Sequence, residues 1–269
     1  GNSDIQFFHL LVCFVLSLAD VGIANWLKKN YSKKIALLFL FNPISILLTG
    51  FHSQMGNLAV LFGLYGYSTL YSKQQYSWLY TGVWLGLSLS TKHLLVFFLP
   101  WFLLAPTAEL RFRQRIYILI ISIVIPVIFI LPFIITEQSY IAFFHSVINY
   151  NSSNYGSLLQ EIFRKLPFEN GVQLPFLSDK TELSKILFFS SVIAIVITQA
   201  YRQNKDCFFI YLTALVGFSS AIADQYFAIP LVAVAIYFEY FELKVFTIYI
   251  ALWLLLDSPF NVGGIIQQL

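Results

Sequence analysis

The chain has 269 residues, of which 58% are hydrophobic, 18% aromatic and only 11% charged. A water-soluble domain averages roughly 45–50% apolar and 25% charged residues, so this much apolar surface cannot close into one aqueous core. A net charge of +3 gives no basic field for nucleic acid, and the composition predicts an all-α, polytopic integral membrane protein of a single transmembrane domain.

The chain opens on Gly1-Asn2-Ser3-Asp4, without a Met or a basic leader. This is no signal peptide, and the expectation is a piece of a longer protein that lacks earlier segments. A spanning helix needs about 20 apolar residues. Apolar runs predict about ten such helices, at 5–27, 35–51, 56–72, 76–91, 93–107, 115–136, 185–201, 206–223, 225–242 and 244–257. Pro43, Pro100, Pro126, Pro132 and Pro230 fall inside these runs. Membrane helices tolerate proline where neighbours satisfy the freed carbonyls.

Charge gives the expected sidedness. Lys28, Lys29, Lys33 and Lys34 form the most basic loop, which belongs in the cytoplasm. Alternating from there puts Lys73, the run Arg111, Arg113 and Arg115, the pair Arg202 and Lys205, and Lys244 on the same side. Of the remaining basic residues, Arg164, Lys165, Lys180 and Lys185 lie in or beside a long hydrophilic loop at 137–184, where the charge rule is weak. Lys92 is the exception. The extracytoplasmic face then collects Asp4, the corner His52-Ser53-Gln54, the corner Thr91-Lys92-His93, the long loop, the corner Asp224-Gln225-Tyr226, and Asp257. Chemistry, if any, belongs there.

Each of these corners has a plain reading and a sharper one. Lys92 can snorkel to headgroups, or with His93 it can bind a phosphate. His52 and Gln54 can simply end a helix, or they can bind phosphate and sugar hydroxyls. Asp224 can sit in the interface, or serve a polar substrate at membrane depth. Asp20, inside the first apolar run, reads as a contact to another helix through a Ser or Tyr hydroxyl. Gly82 and Gly86 have the small-x-x-x-small spacing that suits close helix packing. Cys13 and Cys207 fall at different depths and read as free thiols. No phosphate loop, dinucleotide fingerprint or metal-ligand cluster occurs, so no cofactor or metal is expected.

The order "LADVGIANWL", "LFNPISILLTGFHSQMGNLAVLFGLYGYSTL", "GVWLGLSLSTKHLLVFFLPWFLL" and "DQYFAIPLVAVAI" resembles the GT-C superfamily of membrane glycosyltransferases. Asn42-Pro43, His52-x-Gln54, and Lys92 ahead of an apolar stretch ending in Pro100 are similar to its mannosyl- and glucosyltransferase branches. The resemblance implies transfer of a hexose from a polyprenyl-phosphate donor to a lipid-linked glycan, lipid or protein acceptor. The site would lie on the outer or lumenal side of the cell inner membrane or endoplasmic reticulum membrane. It makes Lys92, His93 and His52 the donor-phosphate residues, and Gln54, Asp224 and Gln225 the sugar or acceptor residues. The catalytic base of such enzymes is an Asp of the first outer loop. Nothing around Asp4 matches it, so the base is expected upstream of Gly1. The alternatives are a transporter or lipid flippase, or a non-catalytic subunit of a membrane assembly.

Overall fold

The computed structural model describes residues 2–51, 54–72, 74–104, 110–133, 141, 182–202, 206–217, 224–241 and 247–253. Every regular element among them is helical. The long outer loop expected at 137–184 lies almost wholly outside the described residues, as does His52.

Helix α1 (Asn2–Asn30) buries one stripe, Leu16, Ala19, Asp20, Ile23 and Leu27, at the spacing of a helix face. Its first turns bury nothing: Ile5, Phe7, Phe8, Leu10 and Leu11 are all exposed. The chain reverses through Tyr31 and Ser32, whose hydroxyl accepts from the Ile35 N–H and caps α2 (Lys33–Leu40).

The run expected as one helix over 35–51 is broken. Asn42 leaves the helix in an extended conformation, and its side-chain oxygen accepts from Ser45 N–H at 2.7 Å. Its side-chain amide also donates back to the Phe39 carbonyl. Pro43 follows at the first helical position, where its missing N–H costs nothing. The single turn α3 (Pro43–Ser45) then widens into a π-helix over Ile46–Phe51.

Helix α4 (Gly56–Leu70) is apolar on every side and nearly all buried. Helix α5 (Ser77–Thr91) packs on it, and Ser88 Oγ donates to the Ala59 carbonyl at 2.7 Å. A 3-10 helix (His93–Phe98) runs into α6 (Leu99–Leu104). Helix α7 (Phe112–Ile130) lies along α5. A Cβ built on Gly82 would stand 2.9 Å from Ile121 Cβ, and one on Gly86 2.8 Å from Ile125 Cβ. The expected glycine spacing is thus a real seam. Helices α8 (Glu182–Tyr201) and α9 (Cys207–Gly217) pack together. After a 3-10 turn (Asp224–Ala228), α10 (Leu231–Phe241) buries every residue from Leu231 to Ile236 and packs on α2 and α9.

Two helical stretches are long and apolar enough to cross a membrane, Asp4–Asn30 and Phe112–Phe133. Neither is the enclosed core helix of a soluble protein, since only 33% and 11% of their most apolar windows are buried. Cys13 and Cys207 are buried and form no disulfide with each other.

Candidate functional site

Three chain reversals meet at one end of the helices. The first follows the π-helix, where Gln54 N–H donates to the Leu48 carbonyl at 3.0 Å, a seven-residue closure one residue longer than the bond that ends an ordinary helix. The second follows α5. Ser90 and Thr91 hydroxyls bond back to the carbonyls of Gly86 and Leu87 at 2.8 and 2.9 Å, and Lys92 then turns extended. The third is the 3-10 turn Asp224–Ala228, pinned by the Tyr249 hydroxyl, which donates to the Phe227 carbonyl at 2.7 Å. The π-helix, α3 and α4 all pack against that turn. A Cβ on Gly56 would lie 3.7 Å from Ile229.

Lys92 joins the second reversal to the third. Its Nζ stands 5.2 Å from the centre of the Tyr226 ring, over the ring face. The side chain is half-buried, and burial pulls its pKa below the ordinary lysine value. No carboxylate pairs with it among the side chains described. A desolvated ammonium of this kind is short of negative charge, and an arriving anion restores it. Tyr226 shares the face of its ring but brings no charge. His93 follows directly and is exposed, beside the ammonium.

A second polar group is fully enclosed. Ser45 Oγ donates to Asp20 Oδ2 at 2.6 Å, and Asn57 Nδ2 donates to Asp20 Oδ1 at 2.7 Å. Asn57 Nδ2 also lies 3.0 Å from Thr49 Oγ1 and 3.3 Å from Ser45 Oγ. Asp20 is 7% exposed, Asn57 and Ser45 1%, and Thr49 not at all. The expected hydroxyl partner of Asp20 is therefore Ser45. Asn57 is what the sequence reading missed. It closes the polar stretch "FHSQMGN", yet it faces Asp20 rather than a substrate.

Of the residues expected to bind donor phosphate, Lys92 and His93 sit at the convergence and His52 is outside the described residues. Of the expected sugar or acceptor residues, Gln54 is half-buried on the first reversal, and the backbone of Asp224 and Gln225 forms the start of the third. Tyr226, in contact with Lys92, was seen in the sequence only as part of the corner. Its signal was its place in a polar triplet between two apolar runs. Among the described residues no group of three or more His, Cys, Asp or Glu could hold a metal ion. No family model, no curated protein and no solved structure matches this chain, so the chemistry of the site rests on its own geometry.

Proposed function

We propose that this chain is a polytopic membrane glycosyltransferase of about ten spans. It takes a hexose of the mannose or glucose class from a polyprenyl-phosphate donor and passes it to a lipid-linked glycan, lipid or protein acceptor. The observation that carries the reading is Lys92: a half-buried ammonium without a carboxylate partner among the described side chains, at the meeting of three reversals. Helix lengths support a lipid-borne substrate. Helices α4 and α5 have 15 residues each, about 22 Å at about 1.5 Å per residue. That is shorter than the roughly 30 Å of bilayer hydrocarbon. Helix α1 has 29 residues and continues past the convergence as an exposed apolar surface. The polar corner thus lies below the membrane rim, with apolar walls beside it for a polyprenyl tail.

In the reaction the acceptor oxygen forms its bond to the anomeric carbon as the bond from that carbon to the donor phosphate breaks. The hydroxyl proton passes to a carboxylate base, which is not assigned to a residue of this chain. Lys92 stabilises the charge that grows on the leaving phosphate. His93 and His52 add donors, and Gln54, Asp224 and Gln225 orient sugar or acceptor. Transfer of radiolabelled mannose or glucose from the polyprenyl-phosphate sugar, measured in membranes carrying the full-length protein, tests this. Lys92→Ala lowers turnover roughly 100- to 1,000-fold, the scale of losing one donor to a developing anion. Undiminished transfer removes Lys92 from the site.

A transporter is the second reading. The enclosed Asp20 and the broken helix at Asn42-Pro43 favour it, because interrupted helices near mid-membrane polar groups are typical of carriers. Substrate accumulation in proteoliposomes without sugar transfer separates the two.

A further inference from the structure

Among the described residues the carboxylate of Asp20 has no counter-charge beside it. Lys28 is the nearest basic residue on its own helix, eight residues on, about 12 Å along the axis. Among the described residues its contacts are neutral: Ser45, Thr49 and Asn57. An isolated ionised carboxylate in so dry a place costs many kcal/mol and is neutralised by something.

The amide of Asn57 says what. Its nitrogen has two hydrogens but three oxygen neighbours, Asp20 Oδ1, Thr49 Oγ1 and Ser45 Oγ, all within 3.3 Å. Its own oxygen is buried with no hydrogen-bond partner among the described residues. The amide ends of an Asn are assigned from surroundings and can exchange by a half-turn of the side chain. After that half-turn the lone oxygen enters the basket in place of the nitrogen. Against a bare carboxylate this is repulsive. Around a cation it is favourable. The basket then offers five oxygens, two from the carboxylate, two from hydroxyls and one from the amide, supplied by α1, α3, the π-helix and α4.

We infer that Asp20, Ser45, Thr49 and Asn57 form an intramembrane site for a small monovalent cation, of which sodium is the fitting member. The ligand set is all oxygen, the choice of a hard cation. One carboxylate balances one positive charge. The hydrogen-bonded contacts inside the basket run from 2.6 Å, Ser45 Oγ to Asp20 Oδ2, to 3.3 Å, Asn57 Nδ2 to Ser45 Oγ, so the basket must open less for sodium than for the larger potassium. Two of the ligands stand on or beside the π-helix, whose wide turn is the kind of irregularity found at functional sites. A bound proton would need only one acceptor and would leave the neutral oxygens of three segments unexplained. The cation links α1 to the broken second segment and to α4, whether sugar transfer or transport is the activity.

The test uses the protein in nanodiscs, with thermal unfolding followed at constant ionic strength as choline is replaced by sodium or potassium. Sodium raises the midpoint saturably by several degrees, and potassium does so much less. Asp20→Asn abolishes the sodium response. Thr49→Val, which keeps the side-chain shape, weakens sodium about tenfold and covers the case in which Asp20→Asn does not fold. An unchanged sodium titration in Thr49→Val, or equal shifts with both ions, overturns the assignment. So does a midpoint that ignores sodium, whether it follows pH, as a proton on Asp20 requires, or ignores both, as a closed structural clasp requires.

Discussion

Among the described side chains Lys92 holds its place through an aromatic face and not through a carboxylate, and this makes its charge available. If Tyr226 positions the ammonium for a phosphate, Tyr226→Phe keeps the ring face and near-normal donor KM. Tyr226→Leu loses a contact of about 0.5–2 kcal/mol and raises donor KM several-fold, while Lys92→Ala acts on kcat as well. Steady-state kinetics on the three variants checks the order. Asn57 follows a different logic. In sodium-free buffer, where the Asn57 nitrogen donates to Asp20, Asn57→Leu strips a donor from a buried carboxylate, which costs about 1–3 kcal/mol, read as a lower unfolding midpoint. Sequence reading found Asp20 and its hydroxyl partner because a carboxylate inside an apolar run stands out. It missed Asn57 because an Asn at a helix start looks like turn chemistry, and only the packing of α4 on α1 turns it inward.

At the scale of helices, the glycines separate by what surrounds them. A Cβ on Gly86 meets the branch carbon of Ile125 at 2.8 Å, with Cδ1 equally close, so the helices themselves must part. Gly86→Ala therefore destabilises by about 1–3 kcal/mol, despite the gain in helix propensity. At Gly217 nothing among the described residues stands within 4 Å, so Gly217→Ala is neutral or slightly stabilising. Unfolding of the two variants in the same lipid decides the comparison. The Gly82 and Gly86 seam was legible because the spacing is periodic. The break at Asn42-Pro43 was less so. A proline within an apolar run reads as a tolerated kink, and the apolar count of 35–51 is the same whether the helix runs through or stops. The signal was the Asn immediately before the proline, an N-cap residue in the middle of an expected span.

For the molecule as a whole, the positive-inside pattern and the convergence of reversals make one joint claim. Apolar runs overlap the described helices α1, α4, α5 and α7, while the run at 35–51 breaks at Asn42-Pro43; nothing in them states which reversals meet. The structure brings the π-helix end, the Lys92 corner and the 224–228 turn together. Those three are the corners that alternation assigns to the side opposite Lys28, Lys29, Lys33 and Lys34. Cys13 and Cys207 are both buried, so a membrane-impermeant thiol reagent leaves residues 1–269 unlabelled before a cysteine is introduced. A single cysteine at Ser32, in the basic loop, is expected to label only after the cytoplasmic side is opened. One at Gln54 is expected to label from outside, and more slowly after a polyprenyl phosphate is added, because the same corner would hold the lipid phosphate. If Ser32 and Gln54 label from one side, the second segment does not cross, and the ten-span arrangement fails with it. Opposite labelling without protection at Gln54 keeps the topology and moves the donor away from this corner. The two results bear on different links, since span count rests on hydrophobicity and charge, while the site rests on where three short reversals happen to pack.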